Sequence, residues 1–154
     1  MKIRNTERRR QVLFILLILY IAVIYSRSMK PAVQSSMESG AVLEMAIELL
    51  EHAGIQSSWL TDHIVRKTAH FVEYAGMGLL LYLNLSNMRE RREKWLTGML
   101  AVIAVPLIDE TIQLFSAGRA GMIQDVWLDM SGAAAGLAMA GMLAVLWQRI
   151  RRKH

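Results

Sequence analysis

The chain has 154 residues, of which 54% are hydrophobic, 20% are charged and none is cysteine. The apolar fraction is high for a soluble domain. The absence of cysteine excludes disulfides, thiol nucleophiles and cysteine-based metal sites.

Four apolar runs predict four membrane spans, at about residues 11–26, 64–85, 95–115 and 126–147. Each has to be helical, because an open strand would leave backbone groups unpaired in lipid. The first run is short for a span. Its basic start and the Ser-Arg-Ser that follows it are also compatible with a signal peptide. We favour an uncleaved span. The later runs keep the chain in the membrane in either case.

A short amphipathic helix is predicted between the first two spans, at about residues 39–53. Its apolar residues share one stripe and its glutamates lie mostly opposite, while Gly54 provides a stop. The stripe consists of Val42, Leu43, Ala46, Leu49 and Leu50. This helix would lie on the outer leaflet or pack on the spans. The predicted fold is therefore all-α: a four-span transmembrane helix bundle with one extracytoplasmic helix, forming a single domain over residues 1–154.

The basic residues set the predicted orientation. The formal net charge is +5, and 13 of the 18 Lys and Arg residues lie in three short stretches: five in residues 1–10, four in 87–94 and four in 149–154. Each stretch flanks an apolar run, which is typical of cytoplasmic loops rather than of a nucleic-acid-binding surface. We therefore expect a multi-pass protein of the bacterial cytoplasmic membrane with both termini in the cytoplasm and no nucleic-acid partner.

Polar residues in the last three spans are predicted to meet at one depth, near the outer surface. Those of the second span fall within about 60° of His70 on a helical wheel. In the fourth span the aspartates share a face with Gly132 and Gly136, and small residues mark close helix approach. Because charges in lipid need partners, we predict a polar cavity that opens to the outside. Its candidate ligand-binding residues are Arg66, Lys67, His70, Glu73, Tyr74, Asp109, Glu110, Gln113, Arg119, Asp125 and Asp129.

These same residues carry a resemblance to a known family. The segments "RKTAHFVEYAGMG" and "DETIQLFSAGRAGMIQDVWLDMSGAAAG" resemble the VanZ-like family of bacterial membrane proteins. The family pattern is similar to R-K-x-x-H-F-x-E-Y, then D-E-x-x-Q-x-F, a G-R turn and D-V-x-x-N-x-x-G-x-x-x-G, and it covers about residues 63–140. One position departs from it, because Asp129 stands where the family usually has Asn. The resemblance implies a four-span membrane protein with a cell-envelope role, linked through the founding member to resistance against the glycopeptide teicoplanin.

Several functions remain open for this cluster. Arg66 and Lys67 lie near a helix N-terminus and Arg119 lies in a turn, which favours an anionic ligand such as a lipid phosphate or a lipid-linked cell-wall precursor. The same charges could instead only hold the spans together. No catalytic residue is assigned, although His70 with Glu73 or Asp109 could act as acid–base groups. We expect no metal and no cofactor, because no metal-ligand spacing is present and the nearby cations would repel a metal ion.

Three hypotheses follow. The first is a non-enzymatic envelope protein that binds an anionic lipid or lipid-linked precursor and so alters glycopeptide susceptibility. The second is a membrane-embedded enzyme that modifies such a lipid. The third is a protein that modulates another membrane protein through its glycine-rich fourth span. The sequence does not predict the oligomeric state.

Overall fold

The chain folds into five α-helices joined by short connections. The structure is a computed structural model that describes the backbone of residues 2–152 and the side chains of residues 7–152. The helices are α1 (Lys2–Ser28), α2 (Ala32–His52), α3 (Asp62–Ser86), α4 (Arg91–Gln113) and α5 (Ile123–Arg151). No strand occurs in the part of the chain that is described, so the predicted all-α class is confirmed.

Three helices are long and apolar enough to cross a membrane. Within the described residues these are Glu7–Ser28, Arg91–Gln113 and Ile123–Arg151. Each extends beyond the predicted span at one end or both. Helix α3 has 25 residues, which is a sufficient length, but the ionisable residues of its first half lower its apolarity. Three apolar helices are therefore candidate membrane spans. An additional span along α3 is a proposal.

Helix α2 begins seven residues before the predicted start at 39, so that boundary was wrong. Pro31 precedes the helix in an extended conformation, and the helix starts at the next residue. Ser35, Ser36 and Ser39 lie within this helix, although serine favours turns and caps over helix interiors. The Ser39 hydroxyl is accommodated because it has two acceptors within reach, the Ser35 carbonyl one turn back at 3.1 Å and the Asp62 carboxylate at the start of α3.

The predicted apolar stripe of α2 is only half covered. Leu43, Ala46 and Leu50 are partly buried, and α2 packs along α3. Val42 and Leu49 remain 55% and 67% exposed, so they point away from the bundle.

The tightest packing in the bundle joins α3 to α5. A Cβ atom on Gly136 would lie 1.9 Å from the Ala75 carbonyl oxygen, and one on Gly132 would lie 2.5 Å from that of Phe71. Only glycine allows backbones to approach so closely. The glycine face predicted for the last span, α5, therefore lies against α3. It is covered, so it does not offer another membrane protein the surface that our third hypothesis required.

The remaining helices complete a core around α3. Leu17 and Ile24 of α1 and Val105 of α4 are buried against Met77 and Leu81 of α3. Side-chain hydrogen bonds fix the register of α1 on α3. The Tyr20 hydroxyl donates to the Glu73 carbonyl at 3.0 Å, and the Asn84 amide donates to the Leu13 carbonyl at 3.0 Å.

The outer surface of the bundle is apolar. Phe14, Leu100 and Leu143 are each more than half exposed. Trp95 and Trp147 are also exposed near helix ends, where amphipathic rings favour a membrane interface. Large apolar side chains turned outward from three long helices identify lipid as the surrounding solvent.

Candidate functional site

The polar residues singled out in the sequence lie at one end of the bundle. Helices α3 and α5 begin at this end, whereas α1 and α4 end there. The antiparallel arrangement therefore brings the first turns of α3 and α5 beside the last turns of α1 and α4. Three hydrogen bonds tie the connections together at this end, including one from the Ala32 amide to the Ala117 carbonyl at 3.0 Å and one from the Ser116 hydroxyl to the Ser28 carbonyl at 2.8 Å. The third joins the Met122 amide to the Glu110 carboxylate.

Most of the charged side chains on α3 have a partner of opposite charge. Lys67 forms a partly buried salt bridge with Asp125 of α5. Arg66 lies 3.9 Å from Asp62, one turn before it on the same helix. Glu73 lies 3.7 Å from the Nε atom of Arg27 at the end of α1. The sequence interpretation missed Arg27, because nothing local showed that the end of the first span would reach α3.

The acidic pair on α4 is organised by one amide side chain. The Gln113 amide donates to Glu110 at 2.8 Å and, with a longer bond of 3.3 Å, to Asp109. Glu110 also accepts a hydrogen bond of 2.9 Å from the Met122 backbone amide. Glu110 therefore anchors the connection between α4 and α5. It is a predicted ligand-binding residue, but it lines neither of the two cavities described below.

A buried polar cluster lies where α3, α4 and α5 meet. It consists of His70, Tyr74, Asp109 and Asp129, and all but His70 are 0% exposed. His70 Nδ1 lies 3.7 Å from Asp129 Oδ1, beyond hydrogen-bond length. Among the described residues, no hydrogen-bond partner is found for His70 Nδ1, the Tyr74 hydroxyl, Asp109 Oδ1 or either carboxylate oxygen of Asp129. Residues from three helices are thus brought together with unpartnered polar atoms.

Two cavities open above this cluster, with volumes of about 230 and 280 Å³. Four residues line both of them: Ser35, Arg66, His70 and Arg119. Lys67, Gln113 and Asp125 line the first cavity only, and Glu73 lines the second. Tyr74, Asp109 and Asp129 lie beneath and line neither.

Several lining residues were not predicted. His63 lines the first cavity, and Arg27, Lys30 and Glu38 line the second. A hydrogen bond from Lys30 holds the pKa of the Glu38 carboxyl below its ordinary value. Glu38 could have been found only by placing the start of α2 correctly, because the helix carries Ser35 and Glu38 over the start of α3.

Arg119 is the cation that lacks a carboxylate partner in this region. It is partly buried, and no carboxylate lies within ion-pair distance of it among the side chains from residue 7 to 152. Gly118 precedes it with φ of +73°, a conformation that glycine adopts without strain, and this turn directs the chain back toward α5. Burial lowers the pKa of the Arg119 guanidinium, while the charge of Asp109 opposes that shift. The group stays protonated at neutral pH, as arginine does in proteins.

The arrangement suits binding of an anion. A half-buried guanidinium beside a second arginine and an imidazole offers charge-assisted hydrogen bonds in a partly desolvated space. Ser39 lines the second cavity, and its hydroxyl lies within hydrogen-bond distance of the Asp62 carboxylate at the start of α3. The buried histidine and carboxylates could transfer protons or hold a cation.

Comparison with known proteins gives one match. The VanZ/LLP1 family profile matches residues 12–146, which is most of the chain. No curated protein and no solved structure matches the chain. With apolar helices that suit a bilayer and a family match from α1 to α5, the chain is a membrane protein that belongs to the VanZ/LLP1 family.

Proposed function

We propose that the protein spans the bacterial cytoplasmic membrane four times and binds the anionic headgroup of a lipid or a lipid-linked cell-wall precursor in its two-cavity site. In this arrangement α3 also crosses the membrane, as the second span in chain order. Its charged first half is tolerated in the bilayer because Lys67, Glu73 and His70 face α1, α4 and α5 rather than lipid.

The proposed orientation rests on the opposite end of the bundle. Residues 87–94 and 149–152 are rich in arginine and lie at the end away from the cavities. Basic loops are retained in the cytoplasm. The cavities therefore face outward, where they meet the headgroups of the outer leaflet and the precursors of the cell wall.

Arg119 is the single observation that carries the proposal of anion binding. Every other cation of the two cavities, apart from the histidines, has a carboxylate within 4.0 Å. An unpaired guanidinium in a partly buried site is costly unless an anion completes it. The planar fork of arginine suits a phosphate, which can accept two parallel hydrogen bonds.

Ligand-dependent stabilisation tests the proposal. The purified protein would be mixed in neutral detergent with undecaprenyl phosphate, phosphatidylglycerol, inorganic phosphate or zwitterionic phosphatidylcholine, and its unfolding temperature measured. Stabilisation by the phosphate monoester lipid but not by inorganic phosphate would favour a precursor, whereas stabilisation by phosphatidylglycerol alone would favour a bulk lipid.

Arginine variants make the test specific. Loss of a charge-assisted hydrogen bond is worth roughly 1.5–3 kcal/mol, so R119Q should weaken binding by about 10- to 100-fold. R92Q is the matched control, because Arg92 is exposed in the first turn of α4, at the other end of the bundle. If no anion stabilises the wild type, or if R119Q responds as R92Q does, the cavities are not an anion site.

An effect on glycopeptide susceptibility belongs to the same proposal. A protein that binds a lipid-linked precursor at the outer surface would change how much of it a glycopeptide of the teicoplanin type can reach. Wild-type and R119Q proteins, expressed at equal membrane abundance in a strain without its own copy, should then differ in teicoplanin susceptibility. Equal susceptibility would remove this part of the proposal.

One observation favours an enzyme as the second candidate. His70 lines both cavities while its ring lies beside the Asp129 carboxylate, and a histidine oriented by a carboxylate is a common acid–base group. An enzyme would lose nearly all turnover of the bound lipid in H70Q while still folding and binding the anion. A binding protein would show no turnover in either form.

A further inference from the structure

We propose that His70, Asp109 and Asp129 bind one divalent transition-metal cation, with zinc and manganese as the ions best suited. Each residue offers one ligand atom, and the three atoms lie within 4.8 Å of one another. The residues come from α3, α4 and α5 respectively. No local sequence spacing could show this site, since the ligands are 39 and 20 residues apart in the printed sequence.

The unused ligand atoms are the first support. Asp109 and Asp129 are 0% exposed, and three of their four carboxylate oxygens have no hydrogen-bond partner among the described residues. His70 Nδ1, which faces Asp129, has none either. Buried charges in proteins are normally paired or coordinate a metal. A divalent cation would give each of the three residues a partner through one ligand atom.

Ligand chemistry narrows the ion. One imidazole nitrogen and two carboxylate oxygens suit zinc or manganese, whereas calcium and magnesium prefer oxygen ligands alone. Tetrahedral zinc at its usual bond lengths places neighbouring ligand atoms about 3.3 Å apart. The 3.7 Å between His70 Nδ1 and Asp129 Oδ1 is close to that separation. Small side-chain rotations would bring the remaining ligand atoms to this separation.

The surrounding charges permit a cation. The sequence interpretation expected repulsion from nearby basic residues, yet Lys67 is paired with Asp125 and Arg66 lies beside Asp62. Arg119 has no such partner, but it lines the cavities, whereas the aspartates lie beneath them. The two buried carboxylates carry two negative charges when ionised, which a divalent cation balances.

Gln113 orients one of the proposed ligands. Its amide donates to Asp109 Oδ2 at 3.3 Å and leaves Oδ1 free. Hydrogen bonds of this kind fix the direction in which a carboxylate presents its remaining oxygen to a metal. Cation binding in this cluster does not require an anion in the cavities, so it stands apart from the proposed function.

Metal uptake by purified protein tests the proposal. Tag-free protein in detergent would be stripped with a chelator, dialysed and titrated with zinc or manganese, and bound metal counted by mass spectrometry. We expect one ion per chain. Loss of a group that merely orients a ligand weakens metal binding about 10- to 100-fold, so loss of a ligand in D129N or H70Q should cost at least about 100-fold.

A matched control and a second readout separate metal binding from a structural role. H52Q removes an exposed histidine whose ring hydrogen-bonds the Glu48 carbonyl of its own helix, and should leave uptake unchanged. Without metal, D129N should unfold at a higher temperature than wild type, because it removes an unpartnered buried charge. With saturating zinc this order should reverse. Wild type that takes up no stoichiometric zinc or manganese, or D129N that binds as tightly as wild type, would overturn the proposal.

Discussion

The contact between α3 and α5 gives the sharpest prediction about stability. Replacing Gly136 by alanine puts a methyl group 1.9 Å from the Ala75 carbonyl oxygen, whereas real Cβ contacts essentially never fall below 3.0 Å. The two backbones must therefore separate by at least ~1.1 Å at this point. Neither atom can give way by rotation, because one belongs to the backbone and the other is fixed to it.

The size of the effect follows from two opposing terms. Overpacking a well-packed interface costs about 1–3 kcal/mol. Alanine in place of glycine in a helix interior recovers up to about 1 kcal/mol of backbone entropy. We expect G136A to be destabilised by about 1–2 kcal/mol. G132A needs a shift of only about 0.5 Å, because its added Cβ lies 2.5 Å from the Phe71 carbonyl oxygen, and should lose less.

Two other glycines provide matched controls. Gly141 would place its Cβ 3.5 Å from the Tyr82 ring, an ordinary contact, and Gly40 has nothing within 4 Å. G141A should be nearly neutral and G40A neutral or slightly stabilising. Reversible unfolding in mixed detergent, followed by circular dichroism, would give the four free energies of unfolding. If G136A were as stable as G40A, the close approach of α3 and α5 would be refuted.

Two further predictions concern the polar end of the bundle. The Lys67–Asp125 salt bridge is partly buried, so a double-mutant cycle with K67M and D125N should give a coupling free energy of about 0.5–1 kcal/mol; a coupling of zero would mean that the two side chains do not interact in solution. The Lys30 ammonium lowers the pKa of Glu38, so the pair stabilises the fold above the ordinary pKa of glutamate and loses that contribution as pH falls through the lowered value. In K30Q the Glu38 pKa, measured by NMR titration, should rise toward the ordinary value, and an unchanged pKa would contradict the pairing.

The long helices could be predicted because the residues that indicate them are neighbours in the sequence. Apolar runs bounded by basic stretches predicted the ends of α4 and α5 to within a few residues. Glycine spacing predicted the face of α5 that meets α3. The start of α2 was missed because Ser35 and Ser36 have low helix propensity. Tertiary contacts with the start of α3 and with the connection before α5 override that preference.

The site was only partly predictable for a different reason. Polar stripes on separate helices showed that His70, Asp109 and Asp129 would lie at one depth, but helix rotation decides which atoms meet. The same stripe of α3 divides between two levels, with Lys67 at the first cavity and Tyr74 buried beneath both. Arg27 contributes through the length of α1, which the short apolar run understated.

The account depends most on a four-span topology that turns the cavities outward. Because the chain contains no cysteine, single cysteines can report the side of the membrane directly. A120C would lie exposed at the rim of the first cavity, and R92C would lie exposed in the first turn of α4, at the opposite end of the bundle.

The decisive measurement is labelling of these two variants in cells with a membrane-impermeant maleimide. With α3 as a span, A120C should be labelled in intact cells and R92C only after permeabilisation. If α3 does not cross the membrane and the N-terminus is cytoplasmic, the spans α1, α4 and α5 would place residue 92 outside and residue 120 in the cytoplasm. Labelling of R92C in intact cells with protection of A120C would therefore contradict the proposed topology and its outward-facing anion site.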